Sequence, residues 1–424
     1  MSNLLTIDLE DYFQVHAFSR VINYEDWDKF ECRIERNTDS LLEILNEVAD
    51  NSKFTIQNSK SNHSITHSPN NSFTQKVQGT FFVLGWIAER YPELVRRIQK
   101  EGHEIACHGH SHKLIYTQTR DEFRQDVKKA KSILENIIGG EVIGYRAPSY
   151  SITHKSQWAF EVLAEEGFKY DSSVFPIHHD FYGLPEAPRF PFIVSLNGNN
   201  NFEFSMLSCE LKTTQNSKRE TQSSRIAIND SKTHLLNYSS FEVLEPEHRS
   251  TAPLNNSLTH SLINPSSDDS APQHGSTAAL NNLLNQSPNN SIPNHSKLNI
   301  QNSKLNVQKS TFIIEFPIST VKVLGTNVPI SGGGYFRLFS YSLIKRGLRS
   351  INQREHKPFI FYIHPWELDF EQPRIKEGSL KSRFRHYVNL DKTEVRFKKL
   401  LSDFQFSTIR QLLTQNAKFT TQNL

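Results

Sequence analysis

The stretch GTFFVLGWIAERYPELVRRIQKEGHEIACHGHSH, residues 79–112, contains a complete strand–helix–strand unit. The apolar run between its first two glycines predicts a buried strand. Pro92 predicts the first turn of a helix, Gly102 predicts its end, and its apolar face carries Leu94, Val95 and Ile98. A second strand is predicted over residues 103–107. Because one helix joins two short apolar strands, the unit indicates parallel β-structure covered by helices.

The same alternation continues on both sides of this unit. Helices are predicted over residues 38–48, after the capping box of Thr119 and Glu122, and over residues 158–166. Further strands are predicted over residues 4–9, 142–145, 168–171, 311–316 and 359–363. We therefore predict an α/β fold whose chemistry lies at the carboxyl ends of parallel strands.

Two segments of low complexity interrupt this pattern. Residues 51–77 contain no Asp or Glu, and residues 251–310 contain 12 Asn and 11 Ser. Their polar composition accounts for the low mean hydropathy of the chain, −0.54. Such segments cannot bury enough apolar surface to offset the entropy lost on ordering. We predict insertions in surface loops at 51–77 and 198–310, with residues 1–197 and 311–424 otherwise forming one domain.

Composition excludes several classes of protein. The chain of 424 residues has 48 Lys+Arg against 45 Asp+Glu, which argues against a nucleic-acid binder. No apolar run is long enough to span a membrane, and the first residues do not resemble an export signal, so we expect a cytoplasmic protein. Cys32, Cys107 and Cys209 suit neither a disulfide framework nor a CxxC metal site, which indicates a reducing compartment. Composition does not determine the oligomeric state.

Histidines and carboxylates follow two of the predicted strands. His108 and His112 are four residues apart, so on one helical turn their rings would face the same way and could form half of a zinc site. The alternative is a polar loop. Asp8, Glu10 and Asp11 end the first strand, where one could complete a metal site and another could act as a base. The alternative is a helix N-terminus, where acidic residues are favoured.

Two later segments carry further candidates. Arg146 follows a strand and could hold a carboxylate, and His364 ends another and could act as a general acid. The alternatives are a surface arginine and a capping histidine. Three glycines precede Arg337, but no phosphate-binding pattern follows them, so this segment is either a plain turn or a tight loop that brings Arg337 close to a substrate.

Taken in order, these pieces resemble the polysaccharide deacetylases, the NodB-homology domain of carbohydrate esterase family 4. The matching motifs are Thr6-Ile7-Asp8, His108-Gly109-His110-Ser111-His112, Arg146-Ala147-Pro148 and Ile363-His364. Longer phrases such as TIDLEDYFQVHAF and FYIHPWE resemble a subgroup associated with bacterial exopolysaccharide and exosortase systems, which has an extra C-terminal segment, here within 311–424. The resemblance implies an irregular (β/α) barrel of about seven strands.

The resemblance also implies a reaction, in which a metal-dependent hydrolase removes acetyl groups from the amino sugars of an N-acetylated glycan. Asp8 matches the general base, Arg146 the residue that orients it, and His364 the general acid. His108 and His112 match two metal ligands. The third ligand is expected to be Asp11, with Glu10 as the alternative, and the metal is expected to be Zn²⁺, although Co²⁺, Ni²⁺ or Mn²⁺ would suit such a site.

The chain departs from the family pattern in places. Asp171 is the nearest match to the family's late catalytic aspartate, and Ser149 replaces the usual tyrosine of the R-x-P turn. Ser149, Tyr150, Trp366 and Arg337 are expected to contact the substrate. Two other functions remain open: a non-catalytic glycan-binding or assembly component, and a hydrolase of a C–N bond in a small cyclic amide. The presence of every catalytic residue type favours the deacetylase, acting before export at the inner face of the envelope.

Overall fold

The computed structural model describes residues 1–58, 76–196, 202–206 and 312–415. The strands are β1 (Ser2–Leu9), β2 (Thr80–Val83), β3 (Glu104–Cys107), β4 (Gly144–Tyr145), β5 (Tyr170–Asp171), β6 (Phe192–Leu196), β7 (Phe202–Met206), β8 (Phe312–Glu315), β9 (Thr320–Val323), β10 (Thr326–Pro329), β11 (Ile360–Ile363) and β12 (Gln405–Ser407). The helices are α1 (Ile34–Asn58), α2 (Gly85–Arg90), α3 (Pro92–Lys100), α4 (Arg120–Ile138), α5 (Ala159–Glu165), α6 (Gly333–Leu338), α7 (Tyr341–Arg354), α8 (Leu380–Tyr387), α9 (Thr393–Asp403) and α10 (Ile409–Gln415).

Ten of the described strands form one sheet in the order β11-β1-β2-β3-β4-β5-β8-β6-β7, with β12 also pairing with β1. The seven strands from β11 to β8 are all parallel, whereas β6 is antiparallel to both β8 and β7. This confirms an α/β fold with a mostly parallel sheet. Among the described strands no pairing joins β11 to β8, so closure into a barrel of about seven strands is not confirmed.

The local signals in the sequence produce the elements they predict. Helix α4 begins with the Thr119–Glu122 capping box and ends at Gly139, whose φ of 62° is the left-handed conformation that glycine adopts most easily. Helix α3 has Pro92 in its first turn and buries Leu94, Val95 and Ile98. Strand β1 is buried along nearly its whole length, as expected of a central strand covered on both faces.

The structure changes the bounds of both predicted insertions. Helix α1 continues to Asn58, so it includes the first residues of the segment 51–77. Strand β7 lies inside the segment 198–310 and pairs with β6. Its sequence FEFSM alternates apolar and polar residues, a short strand signal that the Asn- and Ser-rich composition of the longer segment obscures. The remainder of both segments lies outside the described residues.

The sheet order brings four polar strand ends to one edge. Strands β11, β1, β2, β3 and β4 are consecutive neighbours, and Asp8, His108, Arg146 and His364 lie at or directly after the carboxyl ends of four of them. Within the described part of the chain, none of the helices combines the length and the apolar character needed to cross a bilayer.

Candidate active site

Three side chains at this edge could hold a metal ion. The ligand atoms of Glu10, His108 and His112 all lie within 4.8 Å of one another, and Oε2 of Glu10 is 2.7 Å from Nε2 of His112. Nδ1 of His108 lies 2.8 Å from the carbonyl oxygen of Arg146. Because a carbonyl only accepts, Nδ1 carries the hydrogen and Nε2 keeps its lone pair for a metal. The donor set therefore fits a divalent ion.

His108 and His112 lie on a loop. The sequence spacing predicts a helical turn, and this prediction is wrong. Their segment follows β3, and His112 (φ 53°) and Gly109 (φ 73°) are left-handed. Asp126 on α4 holds this loop, since its carboxylate accepts hydrogen bonds from the backbone N–H of His110 (2.7 Å) and from the hydroxyl of Ser111 (2.6 Å). Sequence reasoning missed Asp126, because no motif links it to the histidines.

The prediction of Asp11 as third ligand is corrected. Its Oδ1 accepts from the backbone N–H of Tyr12 (2.8 Å) and its Oδ2 from that of Arg33 (2.6 Å), so the carboxylate braces the following loop. Burial raises the pKa of Asp11 to about 6. Glu10 reaches the histidines instead, because it lies two residues beyond Asp8 and side chains alternate along a strand end. Burial opposes ionisation of Glu10, but His112 and His364 outweigh it and lower its pKa to about 2.

Asp8 and Arg146 form a buried ion pair. Nη1 of Arg146 donates to Oδ1 of Asp8 (2.6 Å) and to the hydroxyl of Thr6 (2.9 Å). The guanidinium also donates to the carbonyl (2.9 Å) and the hydroxyl (2.7 Å) of Ser172, and it lies over the ring of Phe82. Thr6 and Ser172 were missed by sequence reasoning. Thr6 was detectable, since it lies two residues before Asp8 on the same face of β1.

His364 faces two carboxylates of the candidate site through Nε2, and a third carboxylate binds its Nδ1. Its Nε2 lies 3.3 Å from Oε1 of Glu10 and 3.8 Å from Oδ2 of Asp8, while its Nδ1 lies 2.7 Å from Oε1 of Glu367. Burial alone would lower the pKa of His364, but Glu10 and Glu367 raise it to about 9. Glu367 was missed, although its position three residues after the histidine is a capping-box spacing.

Trp366 and Arg337 lie beside His364 but are not among the groups that converge with Glu10, and their contact with a substrate stays a prediction. The ring of Trp366 packs between His364 (centroids 5.2 Å apart) and His386 (4.2 Å). Nε of Arg337 donates to Oε2 of Glu367 (2.7 Å), and both side chains are almost fully buried. Arg337 thus holds Glu367, the residue that binds His364, whereas Trp366 packs against the His364 ring itself.

Asp171 makes its hydrogen bonds with Ser173 rather than with the metal-binding donors, and its catalytic role stays a prediction. Its carboxylate accepts from the hydroxyl of Ser173 (2.6 Å), which itself accepts from the backbone N–H of Ala147 (2.7 Å). Glu315 is its register partner on β8, and burial raises the pKa of both carboxyls. Through Ser173, Asp171 thus stabilises the turn that follows Arg146.

The turn after Arg146 has an uncommon backbone conformation. Ser149 (φ 51°) and Tyr150 (φ 55°) are consecutive left-handed residues, a costly arrangement that is concentrated at functional sites. Ser149 is half-buried. Tyr150 is buried, and its hydroxyl has no hydrogen-bond partner among the described residues. Their contact with a substrate stays a prediction.

Two regions of the chain match the models of known protein families. Residues 70–170, which include His108, His112 and Arg146, match the family model "Polysaccharide deacetylase". Residues 289–414, which include His364 and Glu367, match "Domain of unknown function (DUF3473)".

Individual relatives match shorter stretches. The chain is 37% identical over 87 residues to a peptidoglycan-N-acetylglucosamine deacetylase of Bacillus cereus, covering 20% of this chain and 31% of that protein. It is 30% identical over 105 residues to a peptidoglycan deacetylase of Helicobacter pylori, covering 25% and 34%. The matches thus span about a third of each curated relative. Among solved structures, a family 4 carbohydrate esterase from Streptomyces lividans in complex with acetate has a TM-score of 0.26 at 18% identity, covering 40% of this chain and 61% of that one.

Proposed function

We propose that the chain is a metal-dependent hydrolase that removes N-acetyl groups from the amino sugars of a polysaccharide or its precursor, since residues 70–170 match the family model "Polysaccharide deacetylase". One observation carries the proposal. Glu10, His108 and His112 converge on one point, with the Asp8–Arg146 pair and His364 beside them. This arrangement combines a metal-binding donor set with a separate base and acid, as amide hydrolysis requires.

Glu10, His108 and His112 would hold the metal ion. A divalent ion there would polarise the acetyl carbonyl and lower the pKa of a water molecule. Zn²⁺ suits two imidazoles and one carboxylate, and Co²⁺, Ni²⁺ or Mn²⁺ would also be accepted by such donors.

The protein's own groups would move the protons. Arg146 binds Oδ1 of Asp8 and leaves Oδ2 directed toward His364, so Asp8 is placed to take a proton from the attacking water. The water oxygen bonds to the acyl carbon, the C–N bond breaks, and His364 gives a proton to the leaving amine. Glu367 holds the imidazole through Nδ1, so Nε2 faces the site. The products are acetate and a free amino sugar.

Three finer points belong to the same proposal. A role in exopolysaccharide biosynthesis is supported by the resemblance of the longer sequence phrases to that subgroup. A barrel of about seven strands is supported by the seven parallel strands from β11 to β8. The cytoplasmic location stays a prediction.

The test is acetate release from an N-acetylglucosamine oligomer by purified protein, stripped of metal and then resupplied with zinc. We expect zinc-dependent release. His108→Ala should lose both bound metal and release, whereas His364→Ala should keep the metal and lose release. Equal metal content in wild type and His108→Ala would refute the site. Stoichiometric metal without release would instead favour the glycan-binding component.

A further inference from the structure

A basic and aromatic surface borders the candidate active site. We call it the basic rim and define it as the loop 178–182, the turn His16–Phe18, and residues 374–387, which include α8. The rim continues directly from the site. His386 on α8 stacks against Trp366, which stacks against His364, and Phe18 packs on His386 with ring centroids 4.9 Å apart. A molecule bound between Glu10 and His364 would therefore lie next to the rim.

The turn His16–Phe18 joins the two other parts of the rim. The rings of His16 and Phe181 are 5.7 Å apart. Phe18, at the other end of this turn, packs on His386 of α8.

The rim carries unusual positive charge. Residues 374–387 contain five Lys or Arg and one Glu, whereas the whole chain is only +3. Lys381 and Arg385 are exposed, and no described carboxylate lies within ion-pair distance of either. Asp180, in the loop, is the one acidic residue in 178–182. By contrast, Arg33 and Arg124 pair with carboxylates. Lys381 and Arg385 are thus exposed cations without a carboxylate partner among the described residues.

The aromatic part of the rim is preorganised. His179 stacks on Tyr182 (centroids 3.8 Å, interplanar angle 14°), and Tyr182 stacks on Phe175 (5.9 Å, 13°). Phe181, at the outer end, is 43% exposed. Exposed aromatic faces held in place by neighbours offer apolar contact area at a low cost in conformational entropy, and the C–H faces of sugar rings stack on such surfaces.

We propose that the basic rim binds negatively charged sugars that flank the amino sugar in the site, so that the substrate class is an anionic glycan containing carboxylate-bearing residues. Lys381 and Arg385 pair with the carboxylates, and Phe181 stacks on a sugar ring. This inference rests on the proposed function for the position of the amino sugar.

The test compares two probes of equal length by direct binding to the full metal-loaded chain, with acetate release measured in parallel. The probes are a hyaluronan oligosaccharide, in which N-acetylglucosamine alternates with a uronic acid, and a neutral chitin oligosaccharide. We expect tighter binding of hyaluronan, with the difference shrinking as salt is raised. Lys381→Gln and Arg385→Gln should each weaken hyaluronan binding about two- to fivefold and leave chitin binding unchanged. Phe181→Ala should weaken both.

The matched control is Lys128→Gln with Arg346→Gln, two exposed positions on α4 and α7 outside the rim, which should change neither probe. Equal binding of the two probes, no binding of either, or unchanged hyaluronan binding in the rim variants would overturn the proposal. A hyaluronan preference that the rim variants abolish supports the rim even without acetate release, and the missing release would then count against the proposed function alone.

Discussion

Glu10 and Asp11 are adjacent carboxylates with different environments. Glu10 meets two imidazoles, whereas Asp11 accepts two backbone N–H groups and is fully buried. The difference arises because consecutive side chains at a strand end point to opposite sides. One carboxylate is therefore available for a metal, and the other is committed to the local fold.

Glu10→Gln tests this assignment. The amide keeps the size of the side chain but loses the anionic oxygen, so we expect zinc affinity to fall at least about tenfold. Asp11→Asn is the matched control and should keep the metal, although it should lower stability, because the amide can accept only through its one carbonyl oxygen. Metal content of the purified variants by elemental analysis gives the answer. Loss of zinc from Asp11→Asn but not from Glu10→Gln would reverse the assignment.

Glu367 is a positioning residue for His364. It binds Nδ1 of the imidazole and is itself held by Arg337. Glu367→Gln should lower kcat by about 10- to 100-fold with little change in KM or in bound zinc, because the ring loses its orientation while the donors remain. Glu367→Asp should recover part of the rate. Steady-state kinetics with parallel metal analysis separates this role from a structural one, for which KM and metal content would change as well.

At the level of elements, the pairing of β5 with β8 brings two buried carboxyl groups to the same position in the sheet. Asp171 and Glu315 are register partners, and burial raises the pKa of Glu315 well above its usual value, with Asp171 raising it further. An acid whose folded-state pKa is raised contributes stability at low pH, and this contribution is lost as pH rises through the raised pKa. The pair is therefore expected to weaken the fold as pH increases.

Glu315→Gln should remove this loss. The amide oxygen can still accept from Val174 N–H, as Oε1 does at 2.9 Å, and the amide nitrogen can donate to Asp171. We expect thermal melts between pH 5 and pH 9 to show a gain of the variant over wild type that grows with pH. Glu43→Gln, at an exposed position on α1, is the control and should follow wild type. A constant difference between Glu315→Gln and wild type at all pH values would contradict the raised pKa of Glu315.

At the scale of the whole molecule, β6 separates β7 from β8, so β7 and β8 run parallel on either side of it. A connection from the end of β7 to the start of β8 must cross two strand spacings and run back along the length of β6. This path is about 20 Å, which roughly six extended residues can span. The 105 residues between Met206 and Phe312 exceed this requirement greatly.

Replacing residues 207–311 with about twelve glycine and serine residues should therefore preserve the fold and acetate release. A comparison variant that replaces residues 198–310 removes β7 as well. It should melt at a lower temperature and aggregate more readily, because the edge of β6 is exposed. Soluble yield, melting temperature and activity of the two variants provide the measurement. Failure of the first variant to fold would show that the replaced segment contributes to the core.

Local physics accounts for what the sequence by itself determined. Short apolar runs between glycines, a first-turn proline and a capping box act within a few residues, so β1, β2, β3, α3 and α4 were predictable. Candidate residues at strand ends were predictable for a related reason, since the carboxyl ends of parallel strands share an edge. The presence of His108, His112, Arg146 and His364 at this edge needed no tertiary information.

Only the tertiary structure decided which polar groups meet. Glu10 rather than Asp11 faces the histidines, Arg337 pairs with Glu367, and Asp171 pairs with Ser173. Arg337, for example, is buried because Glu367, 30 residues away, accepts its hydrogen bond. Sequence periodicity shows on which face of its own strand a side chain lies. Its partner comes from a distant part of the chain, and that partner decides whether a polar group is buried or meets the substrate.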